Sequence, residues 1–180
     1  MYGTSEKVEL KENNSFNPGI NQNVTLTAEF RSPKKDGTGD KVLCLDVKGS
    51  AGQKITITEW AQDTEDKMKN QLTRLRRWVK EVTGADTFPT SFASYEDMAN
   101  QFMAAVNNKG TLLEIKLVYG TKGYLEMPKY DGCVRAMSNP SRLTLSSSEQ
   151  AKTTKPIATP TDTSMMEGMD MGAATDDMPF

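Results

Sequence analysis

The chain contains no histidine and only two cysteines. Histidine is the most frequent general base, the usual partner of a serine or cysteine nucleophile, and the most frequent metal ligand. Cys44 and Cys133 lie singly in apolar, strand-like segments, which indicates two buried, reduced thiols rather than a disulfide or a zinc site. We therefore expect no enzyme activity, no cofactor and no bound metal.

Long apolar runs and aromatic residues are also scarce. No apolar run approaches the ~20 residues of a membrane-spanning helix, and the polar start, residues 1–14, lacks the apolar stretch of a signal peptide. We expect a cytosolic protein. Aromatic residues make up 7% of the chain, and none occurs between Tyr130 and Phe180. Residues 139–180, rich in Ser, Thr, Pro, Met and Gly, cannot bury enough apolar surface to order themselves and predict a disordered tail.

The two parts of the chain also differ in charge. Residues 1–138 contain 19 basic and 18 acidic side chains, whereas residues 139–180 contain three basic and six acidic ones. The sequence thus predicts a nearly neutral, slightly basic body and an acidic tail.

Hydrophobic periodicity gives the order of elements in the body. After a polar N-terminal arm (1–22), apolar and polar residues alternate with the period of a half-buried strand in segments 23–31, 41–48 and 54–60. The period then changes to that of an amphipathic helix, which begins at Asp63 or Thr64 and ends at Gly84, and Ser94 opens a second helix (95–107). Strand patterns return at residues 111–119 and 124–137, where Pro128 favours an edge or a bulge.

Three strands, a helical insertion and two further strands are the element order of an OB-fold. The predicted fold is therefore mainly β with two helices: an OB-fold-like, five-stranded Greek-key barrel in residues 1–138, followed by the disordered tail. OB-folds bind oligonucleotides, oligosaccharides or proteins, so the fold alone does not name the ligand.

Binding of single-stranded nucleic acid requires cations that follow the backbone and aromatic faces on which bases stack. The candidate stacking residues are Trp60, Tyr119, Tyr124 and Tyr130, with packing in the core as the open alternative for each. The candidate cations lie in and beside the predicted strands: Arg31, Lys34, Lys35, Lys41, Lys48, Lys54, Lys116, Lys122, Lys129 and Arg135. The basic residues of the first helix are interpreted as a solvated face.

The last five residues, Asp176-Asp-Met-Pro-Phe180, combine two carboxylates, an apolar side chain, a proline and an aromatic side chain. This tip resembles the acidic C-terminal tip of bacterial and phage single-stranded DNA-binding proteins, where it recruits replication and repair enzymes. Asp176, Asp177, Met178, Pro179 and Phe180 match that pattern residue by residue. Recognition would be of the terminal-carboxylate kind, in a basic-rimmed apolar pocket.

The resemblance covers the predicted OB body, the predicted disordered tether and the tip, of which only the tip is a specific motif. The long N-terminal arm and the second helix depart from the bacterial pattern, so the resemblance implies a divergent, phage-encoded member. Its implied function is to bind single-stranded DNA without strong sequence preference in replication, recombination or repair. The alternatives are a protein–protein adaptor and an RNA-binding OB module. A nuclease has less support, because the strand-borne acids are scattered singly: Glu29, Asp46, Glu59, Glu114 and Glu126.

Overall fold

The strands form one curled antiparallel sheet in the computed structural model, which describes residues 14–156. Its strands are β1 (Gly19–Arg31), β2 (Val42–Gly49), β3 (Lys54–Glu59), β4 (Leu113–Tyr119), β5 (Leu125–Glu126) and β6 (Val134–Ala136). The order across the sheet is β3-β2-β1-β4-β5, and β6 also pairs with β4.

The long strand β1 joins the two halves of the sheet. Its C-terminal part pairs with β2, from Val24 opposite Gly49 to Arg31 opposite Val42. Its N-terminal part pairs with β4, and the register shifts between Asn21 and Val24. A bulge of this kind bends a strand and lets one sheet curl. The result is a five-strand half-barrel with an OB-like fold, as the sequence predicts.

Two helices, α1 (Glu65–Thr83) and α2 (Tyr95–Val106), pack inside the curl between β3 and β4. The side chain of Thr64 caps α1 by accepting from the Lys67 amide, and Gly84 (φ 79°) ends it; Ser94 caps α2. These predicted helix ends are confirmed. The buried side chains of the helices meet the inner face of the sheet in one core: Leu75, Trp78, Val79 and Val82 of α1 with Met98, Ala99, Phe102 and Val106 of α2.

The fifth strand position is divided into two pieces. β5 pairs with the C-terminal end of β4 through Val118 and Tyr119, and β6 pairs with its N-terminal half through Leu113 to Ile115. Residues 127–132 bulge out between the two pieces, as Pro128 predicts, because proline cannot donate to the ladder. Arg77 of α1 holds this bulge through two bonds to Asp131, at 2.7 and 2.9 Å.

Residues 138–156, here called the strap, cross the outer face of β4 and contain a third helix, α3 (Ser147–Ala151). Leu143 and Glu149 are buried, the Arg142 amide donates to Glu114 at 3.0 Å, and the Tyr119 amide donates to the Lys152 carbonyl at 2.9 Å. The predicted body ends at residue 138 and the predicted disordered tail begins at 139. The structure instead packs residues 139–156 on the body, because backbone amides or carbonyls near both ends of the strap form hydrogen bonds with β4.

The start of the body differs as well. The predicted N-terminal arm runs to residue 22, whereas β1 begins at Gly19 and Phe16 is buried in the core. The alternation of apolar and polar residues that predicts a strand is absent here, because the polar Asn21 and Gln22 lie where β1 shifts register on β4. Residues 1–13 and the predicted tip, residues 176–180, lie outside the described residues.

Both cysteines are free and buried, as predicted. Burial raises the pKa of the Cys133 thiol to about 11, so it stays protonated at neutral pH. Within residues 14–156, no helix has the length and apolarity required to cross a bilayer.

Candidate nucleic-acid interface

An open groove of about 1050 Å³ lies where the end of β4, the bulge of residues 127–132 and the strap converge. We call it the strap groove. Two of the candidate stacking residues line it: Tyr119 at the end of β4 and Tyr130 in the bulge. Tyr119 is half-buried, and the side chain of Tyr130 is 46% exposed. The bulge releases Tyr130 from the strand ladder, so its ring lies at the surface rather than in the core.

The turn between β4 and β5 forms one end of this groove. Its backbone closes through Gly123 to Gly120 and Gly120 to Tyr124 hydrogen bonds, at 3.0 and 2.9 Å. Tyr124 is 76% exposed at the end of this turn. An aromatic ring this exposed contributes little to the core and is free to stack on a base.

Four lysines surround these three tyrosines. Lys129 and Lys152 line the groove, and Lys122 is exposed in the β4–β5 turn. Lys155 lies over that turn, with its Cε 3.9 Å from the position that a β carbon on Gly123 would occupy. Within residues 14–156, none of the four has an ion-pair partner, so their charges remain available to an anion.

Lys116 does not have the predicted role. It is buried, and its Nζ lies 3.3 Å from Glu149 of the strap and 3.5 Å from the Tyr130 hydroxyl. The sequence reasoning treats the outer face of β4 as solvent-exposed, whereas the strap covers that face and pairs Lys116 with Glu149. Lys116 instead fixes the wall of the groove and holds Tyr130, whose ring centre is 5.7 Å from its Nζ.

Arg135 is also engaged. It is half-buried, bonds the Val134 carbonyl at 2.9 Å and lies 3.8 Å from Glu81. Glu81 in turn accepts from the Ala136 amide and lies 3.6 Å from Arg142. This cluster joins α1, β6 and the strap. The structure thus places Arg135 in a structural contact rather than in the strap groove.

The outer face of β1–β3, which OB-folds commonly use for oligonucleotides, is less suitable here. Lys48 and Lys54 lie opposite each other on it, but Lys54 is 3.3 Å from Asp46, which Arg31 also contacts at 3.1 Å. Burial alone would raise the pKa of Asp46, yet hydrogen bonds from Thr56, Arg31 and Lys54 hold it below the usual value. Among the described residues, this face carries no aromatic side chain from β1, β2 or β3.

The remaining predicted residues lie apart from the strap groove. Lys34, Lys35 and Lys41 are exposed in the loop after β1, which follows the opposite end of that strand from its contact with β4. Trp60, 52% exposed, follows β3 and lines a smaller cleft that Lys129 also lines. Of the predicted residues, Tyr119, Tyr130 and Lys129 thus line the strap groove. Lys122 and Tyr124 lie in the turn at its end, and several others lie outside it.

Two lysines of the groove, Lys152 and Lys155, are missed because they belong to the predicted disordered tail. A local signal for order was present. Ser146 and Glu149 have the spacing of a capping box, and both of its bonds form at the start of α3. Leu143 and Leu145 precede it as the only leucine, isoleucine, valine, methionine or aromatic side chains of the strap, residues 138–156.

The charges of α1 are largely neutralised within the body. Lys67 pairs with Asp63, Arg74 with Glu59, Arg76 with Asp86, and Arg77 with Asp131. Residues 14–156 together contain 20 basic and 16 acidic side chains, so the described body is positive, whereas residues 157–180 contain five acids and no base. No group of three or more His, Cys, Asp or Glu side chains in the described range is arranged to hold a metal ion.

No known protein family, curated protein or solved structure matched this chain. The resemblance of the C-terminal tip to single-stranded DNA-binding proteins therefore stays a prediction.

Proposed function

We propose that the protein binds single-stranded DNA in the strap groove, without strong sequence preference. The observation that carries the proposal is the convergence of Tyr119, Tyr124 and Tyr130 with four unpaired lysines around one open groove. Lysines attract phosphates through charge, and tyrosine rings stack on any base because every base has a π-face. A duplex hides those faces, so single strands are the preferred ligand.

The wider role rests on the C-terminal tip. In this proposal the protein protects single strands during replication, recombination or repair in the cytoplasm of a phage-infected host. Asp176–Phe180 then recruits partner enzymes. The protein is a binding protein rather than an enzyme. Single-stranded RNA would use the same lysines and stacking faces, so an RNA-binding module is the second candidate.

A salt titration with matched lysine variants tests the proposal. Labelled oligo(dT), the same length of RNA, and duplex DNA are titrated by fluorescence anisotropy at 50 to 200 mM salt. Four phosphate contacts predict a slope of about −3 in log K against log salt, which weakens binding about 50-fold over this range. Lys129→Gln with Lys152→Gln should reduce the slope by about 1.4.

The matched control is Lys34→Gln with Lys35→Gln, which removes two exposed lysines in the loop after β1. That loop is separated from the β4 end of β1 by the length of the strand, about 40 Å measured along the chain. The control should bind as the unaltered protein does. Equal affinity for duplex DNA, a flat salt dependence, or a loss of binding in the control alone would contradict the proposal. Tighter binding to RNA than to DNA would favour the second candidate.

The stacking role of Tyr124 has a separate test. Tyr124→Ala should weaken oligo(dT) binding by roughly 1–3 kcal/mol, or about 5- to 150-fold. Its melting temperature should stay within about a degree of the unaltered value, because exposed substitutions change stability little. A large loss of thermal stability with unchanged affinity would place Tyr124 in the core instead.

A further inference from the structure

Among the described residues, the β3 edge of the half-barrel has backbone groups without a strand partner. Within residues 14–156, β3 pairs with β2 alone. The Gly49 amide donates to the Gln53 carbonyl at 2.8 Å, and hydrogen-bonded positions alternate along an antiparallel pair. Ile55 and Ile57 therefore bond toward β2, whereas Lys54, Thr56 and Thr58 direct their N–H and C=O groups to the free edge.

Beneath this edge lies an apolar seam. A cleft of about 230 Å³ separates β3 from β5. Ile55, Ile57, Leu125 and Met127 give it an apolar lining, and Trp60 and the charged Glu59, Arg74, Glu126 and Lys129 line it as well. Of these, the two isoleucines, Leu125 and Met127 pack on the core but remain partly exposed. An unpaired strand edge above an incompletely covered apolar seam is a template for a further strand.

The chain itself supplies a segment with the matching pattern. Residues 6–11 read Glu-Lys-Val-Glu-Leu-Lys, in which Val8 and Leu10 alternate with charged residues at the period of a strand. The first described residue, Asn14, lies near the N-terminal end of β3. Asn14 lies at the β2–β3 turn, with its Nδ2 3.8 Å from the position of a β carbon on Gly52.

We propose that residues 6–11 of the same chain pair antiparallel with β3 and close this edge. Val8 and Leu10 lie opposite Ile57 and Ile55 and cover the seam. Lys7, Glu9 and Lys11 lie opposite Thr58, Thr56 and Lys54, and exchange the free backbone bonds. The charge of Lys54, opposite Lys11, is already offset by Asp46 at 3.3 Å.

Reach and direction support pairing within one chain. Six residues of strand span about 20 Å, and residues 12 and 13 alone connect the segment to Asn14, so no long linker is required. A chain that leaves the turn and runs back along β3 is necessarily antiparallel to it. The pairing is argued from β3, the seam and residues 6–11 and does not rest on nucleic-acid binding, although Lys129 lines both the seam and the strap groove.

Amide hydrogen exchange on the full chain tests the pairing. The amides of Lys54, Thr56 and Thr58 should exchange at least about tenfold more slowly than in the Val8→Asp, Leu10→Asp variant, because pairing allows exchange only on local opening. Glu9→Ser, on the solvent side of the same segment, is the matched control and should retain the protection. Exchange of these three amides at unprotected rates in the unaltered protein overturns the proposal, whatever the variants do.

A disulfide trap distinguishes one chain from two. Val8→Cys with Ile57→Cys places two thiols on directly opposed residues, and oxidation should give a cross-linked monomer on a non-reducing gel. The native Cys44 and Cys133 are buried, so the unaltered protein, treated with the same oxidant, is the control for cross-links that these two thiols form. Cross-linked dimers at dilute protein concentration would show that the segment pairs with a second copy, and would overturn pairing within the chain.

Discussion

The ion pair between Lys116 and Glu149 is the main polar contact that fixes the strap to β4, and removing one charge tests this role. Both side chains are nearly buried, with 10% and 8% of their surfaces exposed, and Nζ lies 3.3 and 3.4 Å from the two carboxylate oxygens. Glu149 also accepts from the Ser146 amide at 2.6 Å and so caps α3. We consider Glu149→Gln, which preserves shape and removes only the charge.

The expected magnitude follows from burial. Breaking a buried pair by removing one partner costs roughly 3–5 kcal/mol, because the remaining charge is left without compensation. The strap contributes only Leu143 and Glu149 to the buried residues, so it opens more readily than the whole fold. The loss should therefore appear as local opening. A loss of about 3 kcal/mol accelerates amide exchange in residues 143–152 by about 150-fold.

Hydrogen exchange of the strap amides measures this effect, beside a thermal melt and an oligo(dT) titration. Oligonucleotide binding should weaken, since the strap supplies one wall of the groove together with Lys152 and Lys155. Arg142→Gln removes an exposed strap contact for comparison and should accelerate exchange far less, because its side chain is 58% exposed and its contacts to Glu81 and the Ala136 carbonyl are long, at 3.6 and 3.3 Å. The double variant Lys116→Met, Glu149→Leu should restore much of the slow exchange, since apolar pairs often replace buried ion pairs without loss. The remaining difference measures the lost capping bond from the Ser146 amide. Unchanged exchange in Glu149→Gln would refute the reasoning.

Two further predictions concern charge. Hydrogen bonds from Arg77 hold the pKa of Asp131 below its usual value, so this pair stabilises the fold above pH ~4, and the contribution is lost as pH falls through the lowered pKa. Asp131→Asn should lower the melting temperature at pH 7 and reduce its fall between about pH 5 and 2; parallel melting curves would contradict this. Deleting Asp176–Phe180 should tighten oligo(dT) binding modestly at low salt, less so at high salt, and abolish capture of replication or repair partners. Unchanged affinity together with unchanged capture would mark the tip as functionally inert.

Hydrophobic periodicity and cap residues predicted the first helix and the strands, because these signals lie within each element. The first helix was found with its cap at Thr64 and its end at Gly84, because a 3.6-residue apolar period and two cap signals coincide there. The strands of the half-barrel were found because one face of each packs on the core and the other does not. The order of these elements then indicated an OB-like arrangement, although other small mixed folds can share that order.

The strap could not be predicted in the same way, because its order depends on partners far away in sequence. Glu149 finds Lys116 across 33 residues, and Arg142 finds Glu114 across 28. Composition correctly shows that residues 139–156 have few apolar side chains, but a few long-range polar contacts suffice to dock a segment already next to β4. Missing the strap also misplaced Lys116 and excluded Lys152 and Lys155 from the candidate site.

The division of the fifth strand separates the requirements of folding from those of binding. Pairing of β5 and β6 with the two ends of β4 fixes the register on both sides of residues 127–132. Substitutions at Lys129 and Tyr130 that keep the Arg77–Asp131 pair can therefore change the groove without shifting any strand. A lineage could alter its ligand preference in this short segment while the barrel stays the same, and a library restricted to it offers a direct route to engineered specificity.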